Sequence, residues 1–469
     1  MRAVVTLLFL CLTTFCLSQS NIEFIGARDE PIFKSKDDSA RYAILQNELS
    51  KSFAHTTDQK KIDSLFRLTS QLMKVGIIGF RKVYRPDPNF IPFENLNEHS
   101  DFDQVKELSI SKGKFKRLPP NVFLCKNLEV LQLVNTSLSR LQKKANRLPN
   151  LKTIIIFNNK PGKPLKLRRN NQVETLVIRG EQPTYLPTSY KNFKSLVKLD
   201  LSNNALTKFP NGAANNKKLK ELLLINNAIT LKDDKIKLNP YVEKLDLLKN
   251  KISKVPPSIR NLPNLKTLKF NYNTINEVAP EISQLERLES LSLYNNQLTS
   301  IPWGVYQLKS LKEIDLYYNN IERLDGAAAN WQNLEILYLA YNKIFSLPDN
   351  LGDLKNLREL YLHDNRLSSL PENLSQLRNL KVLRINNNRL PQLPSSLSKL
   401  ANLENLDISR NDIQFLPDDF FNFPYLKMLV LVANPWNQET KELLPEKAKE
   451  LRAKDVVVHL NSFDETIDN

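Results

Sequence analysis

Along most of this chain of 469 residues, apolar positions recur with a fixed spacing of 23. Aligned on the first apolar position of each unit, the register runs Val105, Leu128, Leu151, Val173, Leu196, Leu219, Val242, Leu265, Leu288, Leu311, Leu334, Leu357, Leu380, Leu403 and Leu426. That makes fifteen units, with one step of 22 from Leu151 to Val173. A unit this short cannot bury its own apolar face, so a fixed period means copies stacked on one another in a solenoid. In the unit that begins at Leu357, Leu360 and Leu362 alternate with Glu359, Tyr361 and His363, which predicts a half-buried strand with the leucines inward. Leu367, Leu370, Leu374 and Leu377 then follow at spacings of three or four and predict short helical or 3-10 turns on the return path. Pro371 fixes φ there without removing a donor from the sheet.

The ninth position of the unit is Asn in twelve of the fifteen copies, from Asn159 and Asn204 through to Asn434. A carboxamide offers two donors and an acceptor, so a stack of them satisfies backbone groups where each strand turns away, a structural role. Gly113, Thr136 and Glu181 take that slot in repeats one, two and four, which predicts a less regular start to the solenoid.

The pattern L-x-x-L-x-L-x-x-N-x-L, with pairs such as Leu118-Pro119, Leu186-Pro187, Ile301-Pro302, Leu347-Pro348, Leu370-Pro371, Leu393-Pro394 and Leu416-Pro417, resembles the leucine-rich repeat family in its 23-residue bacterial and intracellular form. The resemblance covers about two-thirds of the chain. It implies an α/β solenoid, a horseshoe with a concave parallel sheet and convex 3-10 or short-helix turns. It also implies a non-enzymatic module that recognises another protein.

Four segments follow. Met1-Arg2 and the apolar run Ala3 to Leu17 read as a secretory signal over residues 1–20, too short for a membrane span and followed by polar sequence. The expected address is secreted, periplasmic or cell-surface, and the family's intracellular signalling roles are not carried over to it. Residues 21–104 read as a helical N-terminal cap and linker. One helical pattern carries Tyr42, Leu45, Leu49 and Phe53, another Ile62, Leu65, Phe66, Leu72 and Met73, and the Pro- and Asn-rich stretch 84–104 leads into the repeats. The repeats occupy 105–434. Residues 435–469 are a C-terminal cap and tail, with Trp436 packing on the last repeat, short helices around Pro445 and a strand over Val456 to Val458.

Outside the expected signal the only cysteine is Cys125, at an apolar repeat position, which predicts a buried thiol and no disulfide framework. Its absence of cysteine-clustered caps sets the chain apart from animal extracellular members and points to a bacterium. The formal charge is +17. Between Val130 and Val173 there is no acidic residue, and Lys143, Lys144, Arg147, Lys163, Lys166, Arg168 and Arg169 crowd the convex turns. Such a surface reads as solvated; its functional alternative is attraction to a polyanion such as lipopolysaccharide, with nucleic acid disfavoured by the expected address.

Strand positions three, five, seven and eight face the hollow and are not needed for the core. From repeat eight to repeat twelve they hold Tyr272, Tyr294, Tyr317, Tyr318, Tyr338, Tyr341, Tyr361 and His363, with Glu313, Asp315, Glu359 and Asp364 among them. Tyrosine gives large rigid area plus a hydroxyl, so these positions form the candidate partner-binding patch. A second, apolar group (Val130, Val134, Ile155, Phe157, Val177, Leu223, Ile225, Leu248) reads as an exposed surface that something covers: the N-terminal segment, a second copy or a partner. The histidines are scattered, no catalytic or phosphate-cradling motif occurs, and no cofactor or metal is expected. Protein recognition leads; glycan or polyanion binding and an envelope scaffold are the alternatives.

Overall fold

The computed structural model describes residues 27–33, 77–84, 91–98, 102–160, 163–180, 186–188, 190–232 and 235–460. The expected signal, both predicted N-terminal helices and Glu181 lie outside these residues. Each of the fifteen repeats contributes one strand, and successive strands pair parallel in register, Leu268 opposite Leu291, Ile314 opposite Leu337, Leu360 opposite Leu383. The inward leucines and isoleucines join one continuous core together with the turn residues of the return path.

On that return path Pro348, Pro371 and Pro394 stand directly before 3-10 helices at Asp349–Asp353, Glu372–Gln376 and Ser395–Lys399. Their φ angles of −74°, −70° and −56° are set by the ring, so the chain enters each turn with little backbone freedom to lose. Trp331 is fully buried between repeats, its indole N–H donating to the Val305 carbonyl at 3.0 Å.

Both ends differ in detail from the sequence reading. Ile91–Pro92, expected in a linker, pairs parallel with Leu108 and Ser109 of repeat one, and Leu96 in the following 3-10 helix joins the core. The stretch thus works as a first partial turn of the solenoid, because a single buried leucine and two ladder residues close the end of the stack. Farther upstream, Ala27–Phe33 pairs antiparallel with Ile77–Tyr84, a ribbon that the helical reading of 21–104 did not contain. At the other end, one helix of 15 residues, Gln438–Arg452, runs through Pro445 where short helices were expected. Asn437 caps it, its side chain accepting from the Thr440 N–H at 2.8 Å. Val457–His459 then adds the last strand, and Trp436 packs into the core. Cys125 is free and fully buried, and burial raises its thiol pKa.

Candidate functional site

The ninth-position asparagines decide where each strand stops. Asn319 donates its Nδ2 to the carbonyls of Leu293 at 3.0 Å and Leu316 at 3.1 Å, and its Oδ1 accepts from the Leu298 N–H at 3.1 Å. The same three contacts recur at Asn273, Asn296, Asn342, Asn365, Asn388 and Asn411. The sixth-position carbonyl is thereby taken from the sheet, and the strand ends one residue earlier. This strands the seventh-position N–H, which needs another acceptor. In four repeats an aspartate two residues back supplies it: Asp200 to the Ser202 N–H, Asp246 to that of Leu248, Asp315 to that of Tyr317 and Asp407 to that of Ser409, at 2.9 to 3.2 Å, while the Ile225 N–H donates to the Ser202 hydroxyl. Asp315, expected at the binding patch, is therefore committed to the backbone. Its second oxygen accepts from the Ser292 hydroxyl at 2.7 Å, and burial pushes its pKa up to about 6.

After the seventh position the backbone turns left-handed. Every eighth-position residue has positive φ, from Lys112 at 54° to Ala433 at 57°. Six of the fifteen are Asn and one is Gly180, the residues that tolerate this region. Tyr272, Tyr318 and Tyr341 occupy the same slot with φ of 54°, 53° and 54°. These bulky side chains are held at a backbone conformation that costs them more than it costs asparagine.

Tyr294, Tyr317, Tyr338 and Tyr361 gather with Ala340 in a cluster separate from the main core, and Tyr272, Tyr318 and Tyr341 adjoin it through ring contacts. They divide into two sorts. Tyr294, Tyr317 and His363 are 9%, 7% and 4% exposed, whereas Tyr272, Tyr318 and Tyr341 are 36%, 43% and 37% exposed. Fully buried Ala340 leaves room for the Tyr317 hydroxyl to reach across an entire repeat to His363 Nε2 at 3.2 Å. Tyr338 and Tyr361 stack with centroids 4.9 Å apart, and the Tyr361 hydroxyl donates to Glu359 at 2.7 Å. Outside them Tyr318 and Tyr341 stack nearly parallel with centroids 4.2 Å apart, and Tyr294 is edge-on to both Tyr272 and Tyr318.

Burial, then the charge of Arg384, hold the His363 pKa down to about 4. The ring is neutral near pH 7, and its Nδ1, 3.3 Å from Asp364, makes no well-aligned hydrogen bond. The contact is thus not an ion pair.

The apolar concave group is not the exposed surface the sequence suggested. Val134, Ile155, Phe157 and Val177 are at most 4% exposed and form their own cluster, while Leu223, Ile225 and Leu248 are half-buried. Beside the cluster Arg179 makes a buried ion pair with Asp200. Lys143, Lys144, Arg147, Lys163, Lys166, Arg168 and Arg169 are exposed on convex turns, with the Lys144 ammonium 4.8 Å from the Phe123 ring centroid. Among the described residues no His, Cys, Asp and Glu cluster suits a metal ion, and no helix is long and apolar enough to cross a membrane.

Comparison with known proteins agrees with this architecture. A family model described as a leucine-rich repeat region matches residues 328–463, and a second leucine-rich repeat model matches 240–298 and 286–344. A leucine-rich repeat protein of Leptospira interrogans is 27% identical with a TM-score of 0.60, over 78% of this chain and 99% of that one. The Toll–Spätzle complex of Drosophila aligns with a TM-score of 0.62 at 20% identity, over 72% of this chain and 48% of that one. A plant peptide hormone receptor in complex with RGF2 aligns with a TM-score of 0.53 at 22% identity, over 74% of this chain and 61% of that one. No protein with a curated description matches. The repeat, its asparagine stack and these matches make the chain a leucine-rich repeat protein.

Proposed function

We propose that this chain is a secreted, non-catalytic recognition module that binds a protein partner on the outer tyrosines of the concave sheet. One observation carries the reading: Tyr272, Tyr318 and Tyr341 sit exposed, as bulky aromatic rings, at left-handed positions where eight of the fifteen repeats use Asn, Asp or Gly, residues better suited to that backbone. Steric strain of this sort persists where the side chain serves something besides folding. Their neighbours Tyr294, Tyr317 and Tyr338 form the rigid bed beneath them, and a preorganised aromatic surface loses little entropy on binding. The apolar run behind Met1-Arg2 supports export, and the burial of His363 beneath Tyr317, Tyr341 and Tyr361 keeps a substrate from its ring, which argues against acid–base chemistry there.

The test is affinity capture from native envelope or medium with the wild type beside a Tyr318→Asn, Tyr341→Asn variant. The expected result is loss of the captured protein while the variant stays folded. Equal capture by both would remove the patch from the argument. Polyanion binding through the Lys143 to Arg169 region remains the second reading, carried by the exposure of all seven of its cations; it predicts steep weakening with salt, which the tyrosine patch does not.

A further inference from the structure

The edge of the solenoid where each strand begins carries two structural rows. The second position of successive repeats alternates in charge, Lys152, Glu174, then Lys220, Glu243, Lys266, Glu289, Lys312, with neighbours paired at 2.7 to 3.0 Å where the ions meet. Val197 is the one uncharged member of that row. The last position of each repeat holds a side chain that donates to a carbonyl of the preceding repeat: Asn150 to Lys126, Ser195 to Asn171, Asn264 to Pro240, Ser310 to Glu286 and Asn333 to Lys309. This row lapses at Lys218, Tyr241, Arg287 and Tyr425.

Three of those four lapses, together with Val197, line a single groove of about 410 Å³. Both rows fail at one place, and what replaces them is not inert. Tyr241 is 39% exposed beside Pro240 and Val197. Glu243 holds Lys220 and Lys266 at 3.0 Å each, which offsets one of their two charges and fixes both ammonium groups in place. Lys217, Lys218 and Arg287 line the same groove with no carboxylate partner among the described residues.

We propose that this groove binds an acidic saccharide. An exposed ring with apolar neighbours offers a face for the C–H surface of a sugar, and three uncommitted cations around it suit carboxylate or sulfate substituents. The carbonyl of Pro240 is already taken by Asn264, which leaves little backbone for pairing with a peptide main chain. Lys218 and Arg287 are three repeats apart, roughly 14 Å at sheet spacing, a span of a few rings. The site is separate from the concave patch and does not depend on the reading given to it.

Calorimetric titration of the full chain with oligogalacturonate, at low and moderate salt, tests the proposal. A Lys217→Ala, Lys218→Ala, Arg287→Ala variant is expected to bind at least about ten-fold more weakly, and Tyr241→Ala about ten-fold more weakly, with Tyr241→Phe close to wild type. Binding by Tyr318→Asn, Tyr341→Asn should be unchanged. The proposal is overturned if Tyr241→Ala binds like wild type or if polyglutamate binds as tightly as the saccharide. It is equally overturned if substituting Lys143, Lys144 and Arg147 abolishes the affinity instead.

Discussion

Repeats one to four and repeats five to fifteen follow the same period yet end their strands differently. The first four strands, at Glu107–Ser111, Val130–Val134, Thr153–Phe157 and Thr175–Arg179, run five residues; from Lys198–Asp200 onward they run three. The difference tracks the ninth position. Asn159 bonds Leu138 and the Thr136 hydroxyl and takes no sixth-position carbonyl, so the ladder continues through the seventh residue. One side chain per repeat therefore chooses between a longer sheet and a carboxamide stack. The concave faces diverge with it. The early face buries Val134, Ile155, Phe157 and Val177 as a cluster of its own, and the later one builds layered tyrosines with an exposed outer layer.

The largest effect on this contrast should come from Phe157→Ala. Its ring is fully buried in the concave cluster, so truncation is expected to cost about 4 kcal/mol in denaturant unfolding. A loss below about 1 kcal/mol would mean that this cluster does not stabilise the early repeats. Next comes the carboxamide stack. Asn319→Ala leaves the Leu298 N–H without its partner and removes two carbonyl contacts, an expected cost of about 3 kcal/mol. Thr136→Ala, at the equivalent place in the long-strand region, removes only the hydroxyl bond to Asn159 and should cost about 1 kcal/mol. Equal losses would erase the distinction between the two regions. Amide exchange would localise each effect to its own repeats, as stability in a solenoid is a sum over neighbours.

Much of this organisation is legible in the residues. The inward leucines, the parallel strands, the proline-led turns and the asparagine stack all follow from periodicity, because each repeat faces the same packing problem. Less visible were features set between repeats. The left-handed eighth position has a trace in the sequence, Asn135, Asn158, Gly180, Asn203 and Asn226, but the tyrosines in the same column hide it. Asp315 reads as an exposed acid until the lost seventh-position hydrogen bond is known. The burial of Tyr317 and His363 depends on Ala340 between them, a small residue that draws no notice in a scan for aromatic rings. Ile91–Pro92 was missed because two residues carry no period.

Asp315 gives the comparison a pH dependence. Its folded pKa is raised to about 6, above the ordinary aspartate range near 4, so folding favours its protonated form. That contribution is complete below about pH 4 and is lost as pH rises through about 6. The Asn of Asp315→Asn keeps an oxygen for the Tyr317 N–H and carries no charge. At pH 7 it should be more stable than wild type by about 1–2 kcal/mol, with the gain vanishing by about pH 4. A gain constant across that range would assign the effect to packing and not to titration.

The smallest expected change in stability is the most telling for function. Replacing Tyr318 and Tyr341 by Asn removes one stacked pair and three edge-on ring contacts, to Tyr294, Tyr317 and His363, each worth about 0.5 kcal/mol at these exposed positions, and relieves two left-handed tyrosines at about 1 kcal/mol each. The terms oppose, so net stability should move by less than about 1 kcal/mol. Tyr317→Ala, by contrast, empties a buried site and should cost about 3 kcal/mol, so lost capture by that variant would confound binding with folding. The outer pair separates the two. If Asn at both positions costs several kcal/mol, these rings are structural and belong with the bed beneath them. If the variant holds its stability and loses the captured protein, the strain at the eighth position is explained by recognition and not by the fold.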